Sequence, residues 1–148
     1  MAREFWGGRT VVIDWDGTAA KTKYPKQEHE FMPGFEEAMR RLHREGLRLV
    51  IDSARFNQRD AYSGVVSSRS IARANSERAY IRAALDGAGL TFVELHDYYG
   101  KAPGFMYVDD RADRYTARRT SWKHIADKAL IRFGKEEAVF AAMSGEED

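Results

Sequence analysis

The chain contains no cysteine. Disulfides, zinc–thiolate sites and thiol catalysis are therefore excluded, and a reducing compartment is allowed without being demonstrated. No apolar run approaches the length of a membrane span. The opening residues, Met1 to Gly8, are too polar and too few for a secretory leader, so the expectation is a cytoplasmic protein with no membrane partner. An excess of one charge is also missing. The 24 Lys and Arg against 23 Asp and Glu leave a net charge of +1, and bulk electrostatics does not draw such a chain to nucleic acid or an anionic membrane. No repeat or linker divides the 148 residues, which suffice for one domain with a substantial core, spanning residues 1–148.

What the sequence does have is the run Val11-Val12-Ile13-Asp14-Trp15-Asp16-Gly17-Thr18. Thr10 to Ile13 reads as a buried strand rich in β-branched residues. Gly17 lets the chain turn sharply where a side chain would clash. Asp14 and Asp16 are then expected at the carboxyl end of a strand, where open α/β sheets bind ligands. Two carboxylates this close repel unless a cation or a proton intervenes, and a hard divalent metal such as magnesium relieves the repulsion.

The rest of the chain alternates. Pro33-Gly34 marks a helix entry, and Phe35, Ala38, Met39 and Leu42 recur at helical spacing up to a cap near Gly46. Leu47 to Ile51 reads as a second strand, ending in Asp52-Ser53-Ala54-Arg55. The polar, Ser- and Arg-rich segment 56–75 reads as a long surface loop with at most one helical turn. A helix capped by Asn75 or Ser76 then runs to about Asp86. Leu90 to Leu95 and Phe105 to Val108 read as short strands, the second ending in Asp109-Asp110-Arg111. Trp122 to Leu130 and Glu136 to Met143 suit two further helices, and no convincing fifth strand is present. Strands alternating with helices predict a parallel sheet with right-handed crossovers. Asp14 and Asp16, Ser53, and Asp109 and Asp110 then converge on one sheet edge.

These residues resemble the haloacid dehalogenase-like superfamily of phosphatases. The first motif of that family, Asp-x-Asp-Gly-Thr after an apolar strand, matches Asp14 to Thr18 in full. Ser53 matches the Ser or Thr that ends the next strand, Lys101 the lysine before the last motif, and Asp109-Asp110 the closing acidic pair. Order and spacing agree over roughly the first three quarters of the chain. Two departures stand out. Trp15 is bulkier than the residue usual between the acids and stands to reshape the pocket floor. Asp52 replaces an apolar residue, and either pairs with Arg55 or adds negative charge to the site.

The resemblance implies a three-layer, Rossmann-like α/β fold, with a central parallel sheet and helices on both faces. It implies magnesium-dependent phosphomonoester hydrolysis through an aspartyl phosphate. In that scheme Asp14 is the nucleophile. Asp16 protonates the leaving alcohol and then activates water. Asp14, the main-chain carbonyl of Asp16, Asp109 and Asp110 hold magnesium. Ser53 donates to the phosphate, as do main-chain amides near Gly17 and Thr18, and Lys101 offsets negative charge. An acid at position 16 favours turnover over storage of the acyl phosphate. Lys21, Lys23 and Lys26 are weaker substitutes for Lys101. Arg111 reads as an anchor for the acidic pair. His29, His43, His96 and His124 show no ligand spacing, while Trp6, Trp122, Tyr98 and Tyr99 read as packing residues.

Many relatives carry a cap domain. Here segments 19–32 and 56–75 are too short or too loop-like for one, so the expectation is a capless site flanked by two loops or by a neighbouring subunit. The second loop carries Arg55, Arg59, Arg69, Arg73 and Tyr62. It reads either as a grip for a phosphate backbone or a second phosphate, or as a solvated loop. A capless fold with an Asp-Asp-Arg motif also resembles the 3′-phosphatase part of bacteriophage polynucleotide kinase. No Gly-rich P-loop accompanies it, so a stand-alone phosphatase is the most that carries over. The substrate expected is a phosphorylated small molecule, a nucleotide, or a nucleic-acid 3′-phosphate end. The alternatives are a non-catalytic phosphate- or metal-binding module and a regulatory protein phosphorylated on Asp14. The apolar run Ala138 to Met143 reads as a homo-oligomer contact or as the last core helix.

Overall fold

A computed structural model of the chain describes residues 8–22, 24–27, 30–60, 62–97, 102–109 and 121–144, with side chains to residue 135. Its centre is a parallel sheet of four strands, β1 (Thr10–Ile13), β2 (Arg48–Ile51), β3 (Glu94–Leu95) and β4 (Met106–Val108), in the order β3-β2-β1-β4. Every residue of β1 is buried, as expected of a central parallel strand, and its apolar run without alternation reflects burial on both faces. Ile13 pairs in register with Ile51 on one side and with Val108 on the other. The residues that follow these three positions, Asp14, Asp52 and Asp109, therefore leave the sheet at one level.

Helix α1 (Phe35–Arg44) follows the predicted spacing, with Phe35, Ala38, Met39 and Leu42 buried. Removing Phe35, Met39 and Leu42 from water contributes about 1.5–3 kcal/mol each. Gly34 caps the helix at φ 82°, a left-handed conformation that suits glycine. Glu36 and Glu37 sit in the first turn and Arg41, His43 and Arg44 in the last, matching the helix dipole at both ends.

Helix α2 (Ser68–Gly87) is 20 residues long and begins well before the predicted start. Its cap is Ser67, not Asn75 or Ser76. Ser67 Oγ accepts from the Ser70 amide at 3.1 Å, and Ser70 Oγ accepts from the Ser67 amide at 2.7 Å. This reciprocal box satisfies two amides that the helix start leaves without partners. The loop predicted over 56–75 is thus cut short by α2 from Ser68 onward, and a 3-10 turn at Ala54–Phe56 precedes it. Helix α3 (Trp122–Ser144) is continuous where two helices were expected, passing through Gly134 without interruption. The side chains of Ala138 to Met143 lie outside the described residues.

Buried apolar side chains from each of the three helices join Val11, Ile13, Leu49, Ile51, Met106 and Val108 in one core cluster. Val12, Val50 and Ala102 form a smaller cluster, with Tyr107 packed on it and no helical residue among its members. Helical cover on both faces of the sheet, expected from the sequence, is therefore not seen among the described residues. Trp122 packs edge-on against Phe35, with centroids 5.1 Å apart, and joins α1 to α3. No helix among the described residues is long and apolar enough to cross a membrane.

Candidate active site

Strand β1 delivers Asp14 to the edge of the sheet. The Asp14 amide donates to the Val108 carbonyl at 3.0 Å, carrying the β1–β4 ladder one step past the strands, and the Asp52 amide donates to the Ile13 carbonyl at 3.0 Å. Asp14 and Asp109 therefore flank the boundary between β1 and β4. Strand order reverses at that boundary, since β2 and β3 run to one side of β1 and β4 lies on the other. A reversal of this kind opens a crevice at the carboxyl ends of the strands. Asp14 Oδ1 accepts from the Trp15 amide at 2.9 Å, which orients the carboxylate.

The chain then turns back tightly. The Trp15 carbonyl accepts from the amides of Thr18, Ala19 and Ala20 at 3.0–3.2 Å, and Gly17 takes φ 73°. The Gly17 amide donates to the Ala20 carbonyl at 2.8 Å. The amides of Gly17 and Thr18, expected to face a phosphate, are thus used in closing the turn. Trp122 Nε1 donates to the Thr18 carbonyl at 3.0 Å and pins the turn from α3. Trp15 itself is fully buried in the core, edge-on to Phe31, so it packs beneath the turn and does not form a pocket floor.

Ser53 lies two residues after β2 and is buried. Its Oγ accepts from the Arg55 amide at 3.2 Å as the cap of the 3-10 turn, which leaves its hydroxyl hydrogen able to donate elsewhere. Arg55, expected to contact a substrate phosphate, is occupied within the protein. Its Nε donates to Asp16 Oδ2 at 2.9 Å and its Nη2 to Asp16 Oδ1 at 2.7 Å. Nη1 donates to Glu77 Oε2 at 2.5 Å, and Nη2 also donates to the Lys26 carbonyl at 2.7 Å. The side chain is 1% exposed, and the rings of Tyr24 and Tyr80 lie 5.4 and 5.7 Å from its guanidinium carbon. Burial opposes the Arg55 charge, but the hydrogen bonds it donates to Asp16 and Glu77 outweigh it and hold the guanidinium above its ordinary pKa. Burial likewise raises the Tyr80 phenol. Asp52 does not pair with Arg55; its Oδ2 accepts from the Ala102 amide at 3.4 Å.

The structure thus brings Asp14, Asp16, Ser53, Arg55 and Asp109 to the ends of β1, β2 and β4. Lys101, Asp110 and Arg111 lie outside the described residues, as do Lys23, His29, Tyr98 and Tyr99. Lys21 forms a surface pair with Glu30 at 3.1 Å. Of the remaining histidines, His43 stacks on Phe92 with ring centroids 4.0 Å apart, and His124 is exposed. Among the described residues no three His, Asp or Glu side chains are grouped closely enough to hold a metal ion. The residue that sequence reasoning missed is Glu77. It stands on the buried stripe of α2 between Ala74 and Ile81, and a carboxylate in such a stripe requires a partner. The chain matches no protein-family model, no curated protein and no solved structure.

Proposed function

We propose that this chain is a magnesium-dependent phosphohydrolase on a three-layer, haloacid dehalogenase-like fold without a cap, cleaving phosphomonoesters through an aspartyl phosphate. The observation that carries the reading is the placement of Asp14 and Asp109 at one level on the adjacent parallel strands β1 and β4, with Asp16 two residues on and Ser53 two residues after β2. Carboxylates on neighbouring strands are the oxygen donors a hard cation takes. Asp14, Asp109, Asp110 and the Asp16 carbonyl would hold magnesium, which supplies neutralisation of the phosphoryl charge.

In this scheme an Asp14 carboxylate oxygen attacks phosphorus, and the bond to the leaving alcohol breaks as Asp16 gives that oxygen a proton. Asp16 then takes a proton from water, whose oxygen attacks phosphorus, releases phosphate and restores Asp14. Ser53 donates to a phosphate oxygen, and Lys101 offsets the charge on nucleophile and phosphate. Arg55 already holds both oxygens of Asp16 and ties this carboxylate into the fold. That clamp favours a second reading, a phosphate- or metal-binding module without turnover.

Phosphate release from an aryl phosphate separates the two. The enzyme reading expects turnover with magnesium, none with chelator, and a loss of at least about a thousandfold in Asp14→Asn. Magnesium binding without turnover on aryl phosphates, nucleotides or 3′-phosphorylated oligonucleotides overturns it in favour of the module.

A further inference from the structure

Beside Asp16 the surface opens into a cleft of about 420 Å³, lined by Tyr24, Arg55, Asn57, Arg59 and Arg73 among others. Arg55 is committed to Asp16 and Glu77. Arg59 and Arg73 differ from it and from Arg41, Arg48 and Arg82, all of which pair with carboxylates at 2.5–2.8 Å. Arg59 Nη1 donates to the Gly64 carbonyl at 3.1 Å. Arg73 Nη2 donates to the Asn57 carbonyl at 2.5 Å, and its Nη1 approaches the Arg55 carbonyl at 3.5 Å. Neither donates to a carboxylate among the described residues, where each keeps N–H groups for a further acceptor. Asp60, the other acid lining the cleft, accepts through Oδ1 from the amides of Tyr62 and Ser63 at 2.9 Å and also senses the charge of Arg73 without a direct hydrogen bond to it.

These arginines are also held in place. The described residues Arg59–Asp60 and Tyr62–Val66 meet as the two sides of a hairpin, with Arg59 bridged to Val66 and the Asp60 amide donating to the Val65 carbonyl at 3.0 Å. Arg73 rises from α2 and fastens to the backbone just after the 3-10 turn that carries Ser53 and Arg55. Two guanidinium forks on fixed supports, in a cleft walled by the candidate acid–base residue, form a receptor for phosphate oxygens.

We propose that Arg59 and Arg73 form a subsite for a second phosphate, so that the substrate carries a phosphodiester or a second phosphomonoester beside the phosphate removed. This rests on the phosphohydrolase reading for its substrate, but the anion site itself does not depend on turnover. The second phosphate belongs either to a small bisphosphate or to a nucleic-acid backbone, and the test separates the two.

The test compares kcat/KM for an aryl phosphate, adenosine 3′,5′-bisphosphate and a short 3′-phosphorylated oligonucleotide, in the native protein, Arg59→Gln, Arg73→Gln and the double variant. Circular dichroism and thermal melting verify the fold, and Arg59→Gln alone carries the test if Arg73→Gln does not fold. The native protein is expected to prefer a doubly phosphorylated substrate by at least about tenfold, and the double variant to lose most of that preference. Loss on the bisphosphate assigns a small substrate, and loss confined to the oligonucleotide assigns a backbone. No native preference, or one that survives both substitutions, overturns the subsite. If no substrate turns over, calorimetry with adenosine 3′,5′-bisphosphate decides. Binding weakened at least about tenfold in the double variant keeps the subsite while the hydrolase reading falls, and equal binding or none removes it.

Discussion

Arg55 grips both carboxylate oxygens of Asp16 from a position 39 residues further along the chain, and the same guanidinium reaches Glu77 on α2. One arginine thus ties the turn after β1, the turn after β2 and a helix into a single unit. A carboxylate held through both oxygens has its direction fixed as well as its charge balanced. Arg55→Ala leaves Glu77, 7% exposed, as a buried acid without its cation. The expected loss is about 3 kcal/mol, at the low end for a broken buried pair because Asp16 is 24% exposed and partly hydrated. Arg55→Lys is expected to recover only part of it, since an ammonium cannot fork across Asp16 and reach Glu77 together. Urea unfolding of the two variants checks this; a midpoint unchanged in Arg55→Ala contradicts it.

Two glycines are expected to respond with opposite signs. A Cβ at Gly104 would stand 2.7 Å from Val12 Cγ2 and 2.8 Å from the Thr10 carbonyl oxygen, and the latter is strand backbone that cannot step aside. Gly104→Ala is expected to cost about 2 kcal/mol through displacement of β4 from β1. Gly134 lies inside α3, and a Cβ placed there would meet nothing within 4 Å. Gly134→Ala is expected to gain about 0.5–1 kcal/mol from helix propensity. Thermal melting of the pair gives both signs at once.

The Ser67 cap sets where α2 begins, and α2 carries Arg73 and Glu77. Ser67→Ala removes the oxygen that accepts from the Ser70 amide, and is expected to cost about 1 kcal/mol. Ser67→Asp is expected to retain most of that contribution. Hydrogen exchange is the measurement, and increased exchange confined to the first turns of α2 is the expected pattern. Unchanged exchange there in Ser67→Ala removes the cap from the account.

Asp60 gives the hairpin a pH dependence. The amides of Ser63 and Tyr62 hold its carboxyl below the ordinary value. A depressed carboxylate stabilises the folded hairpin fully above its unfolded pKa of about 3.9, and that contribution fades as pH falls through the lower folded value. The Tyr62 and Ser63 amide resonances are therefore expected to titrate with a midpoint below about 3.9. A midpoint at or above that value contradicts the Asp60 contacts.

Much of the sheet was legible because its signals were local. Thr10 to Ile13 and Leu47 to Ile51 are short apolar runs bounded by glycine or acid, and the α1 stripe repeats at helical spacing. The level placement of Asp14, Asp52 and Asp109 followed from three strand ends and a parallel sheet. The first two turns of α2 were not legible, because the buried positions there are only Ser70 and Ala74. They keep helical spacing, but one is a polar capping residue and the other is small, and composition alone assigns such a segment to a loop. The role of Arg55 was hidden because its partners Asp16 and Glu77 are 39 and 22 residues away in sequence, and no local pattern links them. The single helix α3 was divided in expectation at Gly134, where an intrinsic cost of about 1 kcal/mol is small against the helix on either side.

The hydrogen bond from Trp122 to the Thr18 carbonyl spans 104 residues of sequence. During synthesis, the segment bearing Asp14 and Asp16 leaves the ribosome well before the indole that fastens it. A nascent chain halted short of residue 122 therefore has its acids but lacks the clasp that shapes their turn. The turn that carries these acids is accordingly fastened late in translation, after the strands themselves have been made.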